Sequence, residues 1–129
     1  MQDHCSYDYA VIRVVPRVER EEFVNVGVIV SCPPKDFLDA RIEVDEPRLR
    51  AFAPGLDMAA VHRHLASIPL ICAGGAQAGP IGLLPRGERF HWLVAPRSTI
   101  IQMSPVHTGR CNRLQDTLEH LLNVMVRQR

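Results

Sequence analysis

Apolar and polar residues alternate from Tyr7 to Val15, with Ala10, Ile12 and Val14 in one phase and Tyr9, Val11 and Arg13 in the other. This two-residue period predicts a strand, and Pro16 ends it because proline brings no N–H to an inner ladder. Arg17 to Glu22 is a charged connection. Phe23 to Cys32 then repeats the pattern, with Val24, Val26, Val28 and Val30 in phase, and Pro33-Pro34 stops it. A connection this short predicts an antiparallel hairpin. With both apolar sets on one side of the sheet, Arg13, Asn25 and Gly27 share the other side with Tyr9 and Phe23.

Beyond the hairpin the period changes. Arg41 to Val44 reads as a short strand. Asp45-Glu46-Pro47 has the acidic residues and early proline of a helix start, and Pro54-Gly55 ends that helix near Phe52. Asp57 caps a longer helix with Met58, Val61, Leu65 and Ile68 as its apolar stripe, and Pro69 closes it. Residues 74 to 87 hold five of the eight glycines and two prolines, which predicts a loop. Phe90 to Ala95 alternates like a strand, Thr99 to Met103 is a further strand candidate, and Pro105 to Gly109 reads as a turn. A final helix follows, with Asn112 as cap, Gln115 at the capping-box spacing, and Leu114, Leu118, Leu121, Leu122 and Met125 as its stripe. Strands and helices in this order predict one α+β domain over 1–129: a mostly antiparallel sheet with an N-terminal β-hairpin, packed against two or three helices, one of them C-terminal.

Composition narrows the function classes. The 129 residues carry 15 basic and 14 acidic side chains, a net charge of +1. That balance excludes the broad basic footprint of a typical nucleic-acid or membrane-surface protein. The basic charge is almost all arginine, with Lys35 the only lysine. Arginine suits bidentate anion recognition, although charges of both signs alternate along the chain as on an ordinary solvated surface. Cys5, Cys32, Cys72 and Cys111 form no CxxC pair. The start carries no basic, apolar leader, so a cytoplasmic chain with reduced thiols is expected, with no membrane and no nucleic acid among its partners.

No familiar catalytic motif is present. Gly74 and Gly79 have the glycine spacing of a phosphate loop, but Pro80 stands where its lysine belongs. His62 and His64, two apart on a helix, cannot chelate one metal together, and no metal or other cofactor is expected. Cys111 lies near His107 and a helix start, which lowers a thiol pKa, yet a structural role is the simpler reading. Two polar groups stand out. One is Arg13 with Asn25, joined by Glu22. The other is Arg97-Ser98-Thr99 with His107-Thr108-Gly109, on turns flanking a strand. Arg13, Asn25, Arg97, Ser98, His107 and Thr108 are thus candidates for a site holding a carboxylate or phosphate. The same residues can equally cap carbonyls and close turns.

The segments Tyr7 to Pro16, Glu22 to Val30, Arg89 to Thr99 and Ser104 to Gly109 together resemble the bacterial family called domain of unknown function 3037 (DUF 3037). The resemblance runs nearly end to end and is least distinctive in the glycine-rich loop. It implies a small cytoplasmic bacterial protein without an established activity, whose gene often lies beside one for a HipA-like kinase-fold protein. Members tend to carry acidic residues after the His-Thr-Gly segment, where this chain has Asn112 and Arg113, so no acidic role carries over. Two functions remain open: a non-enzymatic accessory module acting with such a kinase-fold partner, and an enzyme or binding domain for a small anionic ligand or nucleotide.

Overall fold

The computed structural model describes residues 5–97 and 99–127, Cys111 by its backbone alone. The hairpin forms as the alternation predicts: β1 (Cys5–Val14) pairs antiparallel with β2 (Val24–Cys32) across a 3-10 turn at Val18–Arg20. β3 (Phe37–Ile42) continues the meander. β4 (Ile101–Met103) and β5 (His107–Cys111) both run antiparallel along the other side of β1. The first strand is therefore central in a five-stranded sheet. Three helices, α1 (Glu46–Phe52), α2 (Met58–Ala73) and α3 (Arg86–Val94), join one core with Ile12, Val14 and Ile29. The last helix, α4 (Leu114–Met125), packs on the opposite face with Tyr7, Val28, Val30 and Cys32. The fold is α+β, with a helical layer on each face. No single helix among the described residues is long and apolar enough to cross a membrane.

A β-bulge explains why one run of valines serves two cores. Ile12 faces Gly27, but Arg13 faces Asn25, so Val26 is an extra residue on β2. An inserted residue reverses the parity of everything beyond it. Val24 and Val26 accordingly face the α1–α3 layer, whereas Val28 and Val30 face α4. The single valine face read from the sequence is thus split. Gly27 also moves to the side of Ile12, away from Arg13, Asn25, Tyr9 and Phe23. Arg13 and Asn25 remain side by side because both lie beyond the insertion.

A second irregularity divides the outer strand. The β1–β5 register is offset by one residue from the β1–β4 register, and Ser104-Pro105 lies at the join. Proline brings no N–H to a ladder, and Ser104 bridges the break. The Val11 N–H donates to Ser104 Oγ at 2.8 Å, and the Ser104 N–H donates to Val11 O at 2.9 Å. Ser104 is buried. Ser104→Ala is expected to orphan the Val11 N–H and to cost about 1–3 kcal/mol, read as a lowered urea midpoint with unchanged slope.

Three further expectations are corrected. Phe90 to Ala95 is not a strand: Phe90 and Leu93 are buried on α3 and Trp92 is exposed. The predicted loop 74–87 contains a 3-10 segment at Ala76–Leu83 and the start of α3. The predicted turn at 105–109 is mostly β5. Boundaries shift as well. The third strand lies at Phe37–Ile42 rather than 41–44, and α2 runs through Pro69 to Ala73 because Ile68, Ile71 and Cys72 all bury into the core. There are four α-helices among the described residues rather than two or three. Asp45 and Asp57 do cap α1 and α2, accepting from the Arg48 and Ala60 N–H groups at 3.1 Å each. Asn112 does not cap α4: Arg113 holds the N-cap position with no side-chain cap bond, and Gln115 Oε1 accepts from Arg41 Nη2.

The C-terminal end of α4 is fastened to the sheet by Arg127. Its guanidinium donates to both Glu43 carboxylate oxygens at 3.0–3.2 Å and also meets Glu119 and Asn123. The hydrogen bond from Arg127 holds the Glu43 carboxyl below its ordinary value of 4.5. A carboxyl depressed by folding contributes stability above its unfolded value and loses it as pH falls through the folded one. Glu43→Gln is therefore expected to destabilise the chain modestly at pH 7. The gap to wild type should close as pH drops below 4.5, as followed by urea midpoints across pH.

Candidate functional site

The bulge places Arg13, Asn25 and Gln102 in a row across three strands, because Arg13 faces Asn25 on one side and Gln102 on the other. This row lies on the α4 side of the sheet. Yet α4 packs on β2 and β3 and ends at Met125, whose carbonyl accepts from Asn25 Nδ2 at 2.9 Å. Toward β4 no helix among the described residues covers the row. A cleft of about 460 Å³ opens there, lined by Arg13, Val15, Val18, Glu19, Glu21, Phe23 and Gln102.

Arg13 is the distinctive group. Its guanidinium lies 3.9 Å above the centre of the Phe23 ring, and Phe23 is itself exposed. Desolvation by burial lowers the pKa of the Arg13 guanidinium, with no carboxylate among the described residues to offset it. Arg13 Nε and Asn25 Oδ1 are the two buried side-chain polar atoms without a hydrogen-bond partner among the described residues. A donor and an acceptor on two facing residues are thus buried without partners, at a cost that native proteins normally avoid. Glu22, grouped with Arg13 in the sequence, instead binds Arg20 at 2.7 Å.

The remaining candidates are placed elsewhere. His107 faces Tyr9 across β1 and β5, with ring centres 5.4 Å apart. It shares the face of Arg13 but lies four residues away along β1, roughly 13 Å. Thr108 has the opposite parity and donates to Asp8 Oδ1 at 2.9 Å. Arg97 donates to the Leu93 and Trp92 carbonyls and stacks 4.1 Å over the Trp92 ring, so it caps the end of α3. Ser98 lies outside the described residues. Gln102 connects two of these places, since it lines both the Arg13 cleft and a second one formed by Arg97, Pro96, Met103, Ser104 and Val106. The structure therefore joins Arg13 to Asn25, sets Arg97 beyond Gln102, and keeps His107 and Thr108 apart.

Gln102 and the outward-facing Trp92 are not among the candidates that the sequence offers. Nothing local marks either: the register of β4 against β1 spans almost the whole chain, and Trp92 is outward only because its segment is helical. Other reactive groups fit structural roles. Burial, then Asp39, pushes the Cys72 thiol up to about 12. Cys32 is fully buried and donates to Ser6 O at 3.4 Å. His62 Nε2 meets Glu46 at 2.8 Å. The side chain of Cys111 lies outside the described residues.

The model of the family described as protein of unknown function (DUF3037) matches residues 9–126. The chain belongs to the DUF3037 family. No curated protein and no solved structure matches it. The DUF3037 match takes in the whole Arg13–Asn25–Gln102 row, the β2 bulge, the Ser104-Pro105 join and all of α4, so the uncovered part of the sheet lies inside the family domain.

Proposed function

We propose that this DUF3037 protein is a non-enzymatic interaction module of the cytoplasm, and that its partner is a HipA-like kinase-fold protein, as the family resemblance suggests. The observation that carries the reading is the unpaired Arg13, desolvated on the exposed Phe23 ring at the uncovered end of the sheet. Arginine and aromatic side chains, set in clefts that a partner can dry, make up the strongest points of protein interfaces. The Arg97–Trp92 stack supplies a second such pair beyond Gln102.

A small-ligand reading has one observation in its favour, a cleft lined by Arg13, which has no carboxylate partner among the described residues. Against a nucleotide or other polyphosphate stand Glu19 and Glu21, two carboxylates in the same cleft. Titration calorimetry with the purified kinase-fold protein is expected to give saturable one-to-one binding. A thermal-shift screen of nucleotides and phosphorylated metabolites is expected to give no shift. A ligand present at a hundred times its dissociation constant stabilises a fold by about 2.7 kcal/mol, so a clear shift there would favour the small-ligand reading instead.

A further inference from the structure

We propose that the Arg13 cleft seats one carboxylate of a partner polypeptide, carried next to an apolar side chain, with the carboxylate on the Arg13 guanidinium and the apolar group against Phe23, Val15 and Val18. This rests on the interaction-module reading and names the chemistry of its contact. Complementarity of charge and polarity selects the occupant. Seven arginines of the chain have carboxylate partners within 4 Å, namely Arg17, Arg20, Arg41, Arg50, Arg86, Arg113 and Arg127. Arg13, like Arg48, Arg63, Arg89, Arg97 and Arg110, has none among the described residues, and it lies over an aromatic ring in a cleft that Glu19 and Glu21 also line. Glu19 is taken by Arg17 at 3.2 Å. Glu21 is held in a left-handed conformation, φ 56°, at the end of the 3-10 turn.

A carboxylate matches the geometry of a guanidinium fork, as a phosphate does, and a desolvated fork gains more from it than a solvated one. Phe23 and Val18, 42% and 41% exposed, form the apolar wall. A polyanion fits poorly, because each further phosphate would approach Glu19 or Glu21.

The test is an NMR titration of the ¹⁵N-labelled full chain with a blocked hexapeptide containing Glu-Leu, beside the same peptide with Gln-Leu and a single-stranded oligonucleotide. The Glu peptide is expected to shift the amides of residues 13–15, 23–25 and 101–103 in a saturable way, and the Gln peptide to bind at least tenfold more weakly. Arg13→Gln should remove the preference for Glu over Gln, whereas Arg50→Gln on α1 should leave it intact. Equal binding of the two peptides, shifts confined to other residues, no shift at all, or tighter binding of the oligonucleotide to this cleft would each overturn the proposal. Should the kinase-fold protein bind while the Glu peptide does not, the cleft assignment fails and the module reading stands. Should the peptide bind while that protein does not, the cleft stands and the choice of partner fails.

Discussion

Replacing Arg89 with methionine is expected to lower the unfolding free energy by about 3–5 kcal/mol, the largest effect of any single change considered. Arg89 is 6% exposed and donates to three carbonyls: Ile71 at 2.8 Å, Cys72 at 2.9 Å and Leu84 at 3.0 Å. The first two belong to the last turn of α2, where carbonyls lack helical partners and carry the negative end of the helix dipole. One guanidinium therefore closes α2, fixes the segment that leads out of it and anchors α3. Methionine fills the volume but leaves three carbonyls buried and unpaired. Arg89→Lys keeps the charge yet lacks the fork, so it should lose less than methionine does. Urea unfolding at 25 °C reads both. A melting point lower by roughly 10–20 °C should accompany the methionine variant. Gly74 guards the same contact. It sits at φ 80°, and a Cβ there would lie 2.5 Å from Arg89 Nη1.

Gly27→Ala is expected to cost about 2–4 kcal/mol, at or beyond the usual upper range for overpacking a core. A Cβ at Gly27 would stand 2.6 Å from Arg41 O, 3.0 Å from Ile12 Cδ1 and 3.1 Å from Ile42 Cγ1. The closest of these is backbone in the β2–β3 ladder, so it cannot swing aside as a side chain would. Relief requires β2 and β3 to separate just where the bulge sets the strand parity. The variant should therefore lose stability and also disturb the Arg13–Asn25 pairing. Chemical shifts of Arg13 and Asn25 that change along with the urea midpoint would show that coupling. Unchanged shifts at a lower midpoint would separate packing from parity.

Much of the architecture was legible because it is written locally. Asp45 and Asp57 announce their helices by cap chemistry, and the leucines from 114 to 122 announce α4 by period. The hairpin follows from two alternating runs and a short charged link. What escaped depends on pairing between distant segments. Val24, Val26, Val28 and Val30 alternate without a flaw, so no residue signals that Val26 is an insertion; only the register against β1 reveals it. Phe90, Trp92 and Val94 fit a strand as well as Phe90 and Leu93 fit a helix, and six residues are too few to decide. β5 hides because His107, Thr108 and Arg110 are exposed polar residues on an edge strand. Of the candidate site, the adjacency of Arg13 and Asn25 was readable from parity. The uncovered cleft, the role of Gln102 and the missing counter-charge were not, since each depends on where α4 stops and where β4 pairs.

The central claim is that the uncovered Arg13 end of the sheet exists to hold another protein. Light scattering behind size-exclusion chromatography, run on the chain co-expressed with the HipA-like kinase-fold protein, tests it most directly. The account predicts a single species with the summed mass of the two chains, which Arg13→Glu converts into two separate peaks while the isolated variant stays folded. Two separate peaks from the wild-type pair would contradict it.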